Sequence, residues 1–490
     1  MSKEIANLHP TSLWKHFYSL TQIPRPSKKE AEVVEFVRQF GESLGLETIV
    51  DEVGNVIIRK PATTGMENRK GVVLQGHLDM VPQANSDSNH DFEKDPIVTY
   101  IDGDWVTADG TTLGADNGIG VAAAMAVLES VDIPHGPVEA LFTIDEETGM
   151  TGAFNLKPGL LKGDILINMD SEDEGELYVG CAGGTNANIS FGFKPEPPAA
   201  GSAAINLSVI GLKGGHSGLD IPLERGNSNK ILFRFLYEAL KSFELKVGAI
   251  NGGSLRNAIP RESFVTVTLP RAQLKDLKLA YLEFTEKIRK ELYSADPGLG
   301  TGFEEVELPS FVMDDETSLK LIRSVYACPN GVVRMSTDMK GLVETSTNLA
   351  IVKTEGNQVK IHCLLRSSVD SAREDLKNMF SSVFDLAGAQ FNFDGEYQGW
   401  KPNMDSAILK ASQEVYNRLY GKIPEIKAIH AGLECGILGG AYPNWDMISF
   451  GPTIRFPHAP DEKVNIETVG KFWEFLLAIL ADVPVKESLS

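Results

Sequence analysis

Residues 71–79 read Gly-Val-Val-Leu-Gln-Gly-His-Leu-Asp, a short apolar run that ends in His77 and, two residues later, Asp79. Such a run is typical of a buried strand in a parallel sheet, and these sheets bind ligands beyond the carboxyl ends of their strands. A histidine can bind metal through one ring nitrogen when a carboxylate or carbonyl fixes the other. Because residues i and i+2 of a strand point the same way, Asp79 can lie beside His77. The alternative is a hydrogen-bonded structural histidine.

The same pattern, a strand or loop end that carries an acidic residue or a histidine, recurs along the chain. Residues 138–144 and 164–169 are apolar runs followed by acidic residues, a segment rich in small residues begins near 114, and a Pro-rich loop lies near 458. The side chains at these ends are Asp116, Glu146, Glu147, Asp170 and His458.

Each of these residues also has an ordinary structural interpretation. Asp116 could cap a helix, while the Asp-Glu-Glu run and Asp170 could be solvated surface charge. Carboxylates at the ends of several buried strands, however, repel one another unless cations lie between them. Two histidines with several carboxylates and no cysteine suit zinc, or manganese or cobalt, in a hydrolytic site. Two metals need a bridging carboxylate with further ligands on each side, and this set supplies them.

Composition and charge exclude some classes of partner. The chain has 490 residues, of which 42% are hydrophobic and 23% charged, as in ordinary globular proteins. It carries 46 basic and 67 acidic residues, a net charge of −21. This balance argues against a surface for nucleic acid or anionic membrane.

Cysteine usage and the N-terminus predict a cytoplasmic protein. The four cysteines show no CxxC pairing and read as reduced, buried thiols: Cys181, Cys328, Cys363 and Cys435. The first ten residues contain no apolar signal region, and no run approaches about 18 consecutive apolar residues.

The order of predicted elements indicates two domains, as expected for this length. Ser27 and Glu30 have the spacing of a capping box before the first amphipathic helix. Strand-rich and helical patterns alternate from about 187 to 398, which suggests an inserted α+β domain. We therefore expect an α/β fold in which residues 1–186 and 399–490 form a discontinuous catalytic domain with a mixed, mainly parallel sheet flanked by helices.

Three motifs of the chain are Gly-His-Leu-Asp-Met-Val-Pro at 76–82, Leu-Gly-Ala-Asp-Asn-Gly-Ile-Gly at 113–120 and Phe-Thr-Ile-Asp-Glu-Glu-Thr-Gly-Met at 142–150. They resemble the di-zinc dipeptidase/deacylase superfamily, and most of all the bacterial aminoacyl-histidine (Xaa-His) dipeptidases. Gly-Gly-His-Ser-Gly at 214–218 and Asn-Ala-Ile-Pro at 257–260 extend the resemblance over essentially the whole chain.

The resemblance implies a role for each residue of the metal set. Asp116 bridges two Zn²⁺ ions, for which cobalt or manganese could substitute. His77 and Asp170 complete one site, and Glu147 and His458 complete the other. Asp79 supports His77. Glu146 is the general base for a hydroxide held between the metals, which attacks the peptide carbonyl.

The resemblance also implies that the domain over 187–398 is a lid and a homodimerisation surface. His216 would stabilise the oxyanion, and Asn257 and Arg366 would contact the substrate backbone and its terminal carboxylate. Glu434 could accept the free α-ammonium, and His430 could shape the pocket. For each of these residues a structural role is the alternative.

The predicted activity is a zinc exopeptidase that hydrolyses dipeptides with a free N-terminus, with Xaa-His dipeptides such as carnosine among the substrates. An N-acyl amino-acid deacylase or a tripeptidase on the same scaffold is the alternative, because the metal ligands do not distinguish them. A third hypothesis is an inactive metal-binding scaffold. The presence of both Glu146 and Asp79 argues against it.

Overall fold

The computed structural model describes residues 2–86 and 88–486, which form two compact units. The first unit comprises residues 1–180, 402–428 and 433–490, and the second comprises residues 181–401 and 429–432, in each case within the described ranges. In the described part of the chain, no helix is both long enough and apolar enough to cross a membrane.

The first unit contains an eight-stranded mixed sheet. In spatial order its strands are Glu47–Val50, Val56–Lys60, Val138–Thr143, Val72–His77, Ile165–Asn168, Asp446–Ser449, Glu176–Cys181 and Glu425–Ile429. The four central strands, from Val138–Thr143 to Asp446–Ser449, are parallel neighbours, and antiparallel pairs flank them. The predicted α/β class with a mixed sheet is confirmed, but the sheet is not mainly parallel: its described strand pairs divide into three parallel and three antiparallel ones.

Three of the four central strands are buried from end to end, which explains their largely apolar sequences. Every residue of Val72–His77, Val138–Thr143 and Ile165–Asn168 is buried. Because the three strands are parallel and adjacent, their carboxyl ends meet at one edge of the sheet. This edge is where the predicted His77, Glu146 and Asp170 follow their strands.

Helices cover the sheet of the first unit. They are Thr11–Thr21, Ala31–Ser43, Ala115–Glu129, Glu146–Gly149, Thr151–Asn155, Ala407–Tyr420, Glu434–Ala441 and Ile466–Asp482, with a 3-10 helix over Ser2–Asn7. A second, four-stranded sheet consists of Ile454–Arg455, Lys463–Asn465, Trp105–Ala108 and Thr99–Asp102.

Small residues let the helix Ala115–Glu129 approach the sheet closely. A Cβ on Gly76 would lie 2.3 Å from Asn117 Oδ1, and one on Gly120 would lie 2.7 Å from the Met169 carbonyl. The Asn117 amide donates to that same carbonyl at 2.6 Å. The first turn of the helix is not regular, because Asp116 and Asn117 have non-helical backbone angles.

The predicted capping box at Ser27 is wrong. The helix begins at Ala31 and its N-cap, Glu30, makes no side-chain cap hydrogen bond. The Ser27 hydroxyl instead donates to Asp79 Oδ2 at 2.8 Å, while Glu30 Oε1 accepts the backbone N–H groups of Lys28 and Asp145. Tertiary contacts therefore use both side chains that the local pattern assigned to a cap.

The second unit is built on a nine-stranded antiparallel sheet. Eight strands follow in the order Gly300–Val306, Ser202–Ile210, Ser263–Pro270, Lys246–Gly252, Val343–Glu355, Gln358–Ser367, Gly183–Gly192 and Gln390–Tyr397, and Gly331–Met335 pairs with Val343–Glu355. Two short antiparallel pairs, each separate from this sheet, join Pro195–Glu196 to Val312–Met313 and Gly215–His216 to Ala258–Ile259.

Four helices pack in the second unit, and they bury its core with the sheet. They are Ser228–Ala239, Leu274–Glu291, Asp315–Ala327 and Asp370–Leu386, with 3-10 turns at Ile221–Leu223 and Arg271–Gln273. The predicted α+β character of this region is confirmed. Its role as a lid and a dimerisation surface stays a prediction.

Candidate metal centre and substrate-binding residues

His77 lies at the end of its strand with one ring nitrogen fixed by Asp79. The imidazole is only 1% exposed, and its Nδ1 lies 3.1 Å from the Asp79 carbonyl oxygen and 3.4 Å from Asp79 Oδ1. Because both of these atoms are acceptors, Nδ1 carries the proton in the neutral ring. The lone pair is then on Nε2, which faces Asp116 and Asp170.

Asp116 presents its two oxygens to two different histidines. Its Oδ1 lies 3.2 Å from His77 Nε2, and its Oδ2 lies 3.2 Å from His458 Nε2. Asp170 Oδ1 is 3.3 Å from His77 Nε2, and Glu147 Oε2 is 2.9 Å from His458 Nε2. Two groups of donor atoms, each compact enough for one metal ion, therefore share Asp116.

Unpartnered oxygens indicate that the cluster suits cations. Glu147 Oε1 and Asp170 Oδ1 are buried, and no hydrogen-bond donor reaches them within the described residues. Burying a carboxylate oxygen without a donor or a cation is costly. Two imidazoles with three carboxylates and no thiolate form a donor set that zinc accepts.

The pKa shifts of the cluster have the same physical origin. Burial lowers the pKa of His77, but Asp170, Asp116 and Asp79 raise it well above its ordinary value. Hydrogen bonds to Asp116 and Glu147 raise the pKa of His458 to about 11. Burial raises the pKa of Asp170 to about 7. The negative charge of the carboxylates thus stabilises positive charge in the site.

Glu146 is half-buried next to the two donor groups that share Asp116. Burial raises its pKa well above the ordinary value, and the charges of Asp170, Glu434 and Glu147 add to that effect. Its carboxylate also belongs to a third compact donor group, with His77 and Glu147. A carboxyl that holds a proton readily near metal ligands is suited to acid–base chemistry.

Besides the His77 ring, Asp79 also holds the backbone of the following acidic turn. Its Oδ1 accepts the backbone N–H of Glu146 at 3.0 Å, and its Oδ2 accepts that of Glu147 at 3.2 Å. A further compact group joins Asp79 to Glu30 and Asp145. Backbone and hydroxyl donors already occupy the carboxylate oxygens of Asp79 and Glu30. We therefore interpret this group as a structural hydrogen-bond cluster and not as a metal site.

Glu434 is the first residue of the helix Glu434–Ala441 and is 1% exposed. Its Oε2 accepts hydrogen bonds from Gln75 Nε2 at 2.6 Å and from the Thr143 hydroxyl at 2.8 Å. Its Oε1 is buried without a hydrogen-bond partner in the described chain. Burial raises the pKa of Glu434 to about 7.

The other predicted site residues belong to the second unit. His216 lies in the short strand Gly215–His216, and its Nδ1 accepts the backbone N–H groups of Gly218 at 3.2 Å and Leu219 at 3.1 Å. The neutral ring therefore carries its proton on Nε2. Burial and the charge of Arg366 lower the pKa of His216, which favours this neutral form. Asn257 is exposed, and its carbonyl accepts the N–H of Ser217.

Arg366 is 5% exposed and, among the described residues, forms no ion pair with a carboxylate. Its Nη1 lies 3.2 Å from the Tyr397 hydroxyl, while its Nε is buried without a partner in the described chain. His430 is buried nearby, with its Nε2 at 2.7 Å from the Ser346 hydroxyl. Burial, with the charge of Arg366, lowers the pKa of His430 to about 3. A buried guanidinium that has no carboxylate partner among the described residues is suited to bind the carboxylate of a ligand.

Comparison with known proteins identifies the family. The model of peptidase family M20/M25/M40 matches residues 73–482, which is most of the chain. The chain belongs to this family. A cytosol non-specific dipeptidase of Escherichia coli (strain K12) is 46% identical over 99% of this chain and 100% of its own length. This M20-family chain is thus a hydrolase of peptide bonds.

Solved structures agree with the family assignment. The crystal structure of an aminoacylhistidine dipeptidase from Vibrio alginolyticus has a TM-score of 0.95 and 50% sequence identity, and the match covers 99% of this chain and 100% of that one. The aminopeptidase PepT of Bacillus cereus has a TM-score of 0.57 at 17% identity over 97% of this chain and 99% of that one. The second match shows a shared fold only.

Sequence reasoning missed residues that hold the loop that carries Asp116 in this M20-family peptidase. Glu462 is buried and accepts four consecutive backbone N–H groups of residues 113–116 at 2.7–3.2 Å. Arg25 is also buried and donates to the carbonyls of Leu78, Asp79 and Gly114. In the sequence, Glu462 belongs to an Asp-Glu pair that resembles solvated surface charge, and Arg25 carries no motif signal.

Proposed function

We propose that the chain is a di-zinc dipeptidase that hydrolyses dipeptides with a free N-terminus, with Xaa-His dipeptides, including carnosine-type ones, among its substrates. The observation that carries the proposal is Asp116, whose two oxygens face His77 and His458 separately at 3.2 Å. A carboxylate in this position can bridge two cations. Two relatives that match over their full length are named dipeptidases, which supports the substrate class.

In this proposal each metal has its own ligands besides the shared Asp116. His77 and Asp170 hold one ion, and Glu147 and His458 hold the other. When bound, the two divalent cations acidify a water molecule and polarise the scissile carbonyl. Zinc is the metal we favour because imidazole and carboxylate donors without thiolate suit it, and manganese or cobalt can occupy such a set.

The remaining steps belong to side chains of the chain. Glu146 accepts the proton of the attacking water and delivers it to the departing amine, a task that its raised pKa favours. Asp79 keeps His77 oriented and holds the backbone of Glu146 in place. His216 donates from Nε2 to the developing oxyanion, because its Nδ1 is occupied as an acceptor.

Each charged end of the substrate is assigned to a side chain of opposite charge. We assign the terminal carboxylate to Arg366, which has no carboxylate partner within the described residues, and the free α-ammonium to Glu434 Oε1. Asn257 contacts the substrate backbone, and His430 shapes the pocket through its bond to Ser346. Recognition of both free termini favours an unblocked peptide over an N-acyl amino acid.

We also propose a cytoplasmic homodimer in which the second unit is both the lid and the dimerisation domain. The four cysteines are buried, as is usual for reduced thiols, and the Escherichia coli relative is named a cytosol enzyme. Sedimentation of the purified protein would test the dimer.

A substrate panel tests the activity. The zinc-loaded protein is assayed on alanyl-histidine, carnosine, alanyl-alanine, N-acetyl-histidine and a tripeptide, with and without a chelator. We expect hydrolysis of the dipeptides that stops with the chelator and returns with zinc. The Glu146→Gln variant, with unchanged zinc content, should lose at least about 10²-fold in kcat. Activity that survives chelation, or a preference for the acetylated compound, would contradict the proposal.

A further inference from the structure

Glu434 is held so that its two carboxylate oxygens have different environments. Two donors, from Gln75 and Thr143, saturate Oε2 at 2.6 and 2.8 Å. Oε1 is equally buried, yet no donor contacts it within the described residues. A buried carboxylate oxygen without a donor carries a desolvation cost that a ligand can relieve.

A ladder of buried polar residues fixes the direction of these hydrogen bonds. Gln75, Asn168 and Ser449 are register neighbours on three adjacent parallel strands, and each is at most 1% exposed. Asn168 Oδ1 accepts the backbone N–H of Asp170 at 3.3 Å and the Ser449 hydroxyl at 2.5 Å, so Asn168 Nδ2 is the atom that donates to Gln75 Oε1, at 2.5 Å. The amide of Gln75 must therefore turn its Nε2 toward Thr143 and Glu434.

Because Gln75 donates from Nε2, Glu434 is the acceptor at the end of this series of hydrogen bonds. All donors that reach its carboxylate are neutral, and Glu434 forms no ion pair within the described chain. It also belongs to none of the compact metal-donor groups found among the described residues. The ligand of Oε1 must then be a hydrogen-bond donor, and a cationic donor balances the buried charge best.

We propose that Gln75 and Thr143 are positioning residues for recognition of the substrate's amino terminus. They hold Glu434 by one oxygen and leave the other oxygen to the free α-ammonium of the dipeptide. This inference rests on the proposed dipeptidase function, and it assigns selectivity for a free amine to two buried polar residues of adjacent strands.

Three variants of the zinc-loaded, full-length protein test the inference. Thr143→Val removes the hydroxyl with little change of shape, Thr143→Ser restores it, and Gln75→Met replaces the amide by an apolar chain of similar length. We expect KM for alanyl-histidine to rise about tenfold in Thr143→Val and Gln75→Met, as for the loss of one hydrogen bond to a charged group. Thr143→Ser should stay within about twofold of the wild-type KM.

An amine-free analogue separates positioning from general damage. Propionyl-histidine, which lacks only the amino group of alanyl-histidine, is measured as a competitive inhibitor. Its Ki should change less than about twofold in every variant, because it has no ammonium to place on Oε1. Zinc content and kcat should stay near wild type. Thr21→Val serves as a matched control, since Thr21 is buried in the same unit and its hydroxyl donates to the Tyr18 carbonyl.

The outcomes distinguish this inference from the proposed function. If Glu434→Gln raises KM for alanyl-histidine while Thr143→Val and Gln75→Met leave it unchanged, the positioning role is wrong and the amine-binding role of Glu434 stands. If Glu434→Gln also leaves KM unchanged, the amine-binding part of the proposed function fails. If Gln75→Met does not fold, the Thr143→Val and Thr143→Ser pair decides, and equal KM values for the two overturn the inference.

Discussion

Asp79 and Glu146 are joined by a hydrogen bond of 3.0 Å from the backbone N–H of Glu146 to Asp79 Oδ1. The same oxygen lies 3.4 Å from His77 Nδ1. One buried carboxylate therefore orients both a proposed metal ligand and the turn that carries the proposed general base.

This relationship predicts unequal damage from two substitutions. His77→Ala removes a ligand and should leave about one metal ion per chain. Asp79→Asn keeps the metal donors but puts an amide N–H₂ against either His77 or the N–H groups of the 146–147 turn, which should lower kcat about 10²-fold. Zinc content by elemental analysis and kcat on alanyl-histidine measure both effects. Equal loss of metal in the two variants would contradict the division of roles.

Tyr397 provides a second prediction through its contact with Arg366. The Tyr397 ring packs against Gly184 and Gly432, where a Cβ would lie 2.6 and 3.1 Å from ring atoms, and its hydroxyl is 3.2 Å from Arg366 Nη1. Tyr397→Phe keeps this packing but removes the hydroxyl that accepts the hydrogen bond from the Arg366 guanidinium. We expect KM for alanyl-histidine to rise about threefold to tenfold with kcat unchanged.

Selectivity for a terminal carboxylate checks the same contact. The ratio of kcat/KM for a dipeptide to that for its C-terminal amide should fall in Tyr397→Phe and fall much further in Arg366→Met. An unchanged ratio in Arg366→Met would show that another group binds the carboxylate.

The positions of three candidate site residues were predictable because they follow from strand geometry. Parallel strands place their carboxyl ends at one edge, so His77, Glu146 and Asp170 were expected to lie close together, and the structure brings them together. The resemblance to known motifs supplied the partners from distant loops, Asp116 and His458. The roles of these residues remain the proposal made above.

The supporting residues could not be predicted, because their contacts are tertiary. Ser27 resembles a helix cap but bonds to Asp79, and Glu462 resembles surface charge but binds a loop more than 300 residues earlier in the chain. Gln75 was visible as a polar residue within an apolar strand. Its partners Asn168 and Ser449 become neighbours only when the order and register of the strands are known.

His216 should act as a neutral hydrogen-bond donor. Because its Nδ1 accepts two backbone N–H groups, its proton is on Nε2, where it can stabilise an oxyanion. We expect His216→Ala to lower kcat about 10²- to 10³-fold with less than threefold change in KM and unchanged zinc content. His362→Ala is the matched control, since His362 is a half-buried histidine of the same unit that bonds to Asn188 and Arg256. A kcat within threefold of wild type for His216→Ala would remove it from the mechanism.

His430 should make the stability of the protein depend on pH. Burial, with the charge of Arg366, lowers its pKa to about 3 in the folded protein, whereas an unfolded histidine has a pKa of about 6.5. Below pH 6.5 the unfolded chain binds a proton that the folded chain does not, so stability falls as the pH falls. The loss is about 1.4 kcal/mol for each pH unit between roughly 6.5 and 3.

The His430→Gln variant isolates this contribution. Glutamine does not titrate, and its amide can still bond to the Ser346 hydroxyl, so the variant should be within about 1 kcal/mol of wild type at pH 8. Between pH 6.5 and 5 the variant should gain about 2 kcal/mol relative to wild type, because only the wild-type chain must keep a buried imidazole neutral. Denaturant unfolding of both proteins at matched pH and zinc concentration measures the difference. A difference that stays constant from pH 8 to pH 5 would mean that His430 titrates alike in the folded and unfolded chains, and that burial beside Arg366 does not keep it neutral.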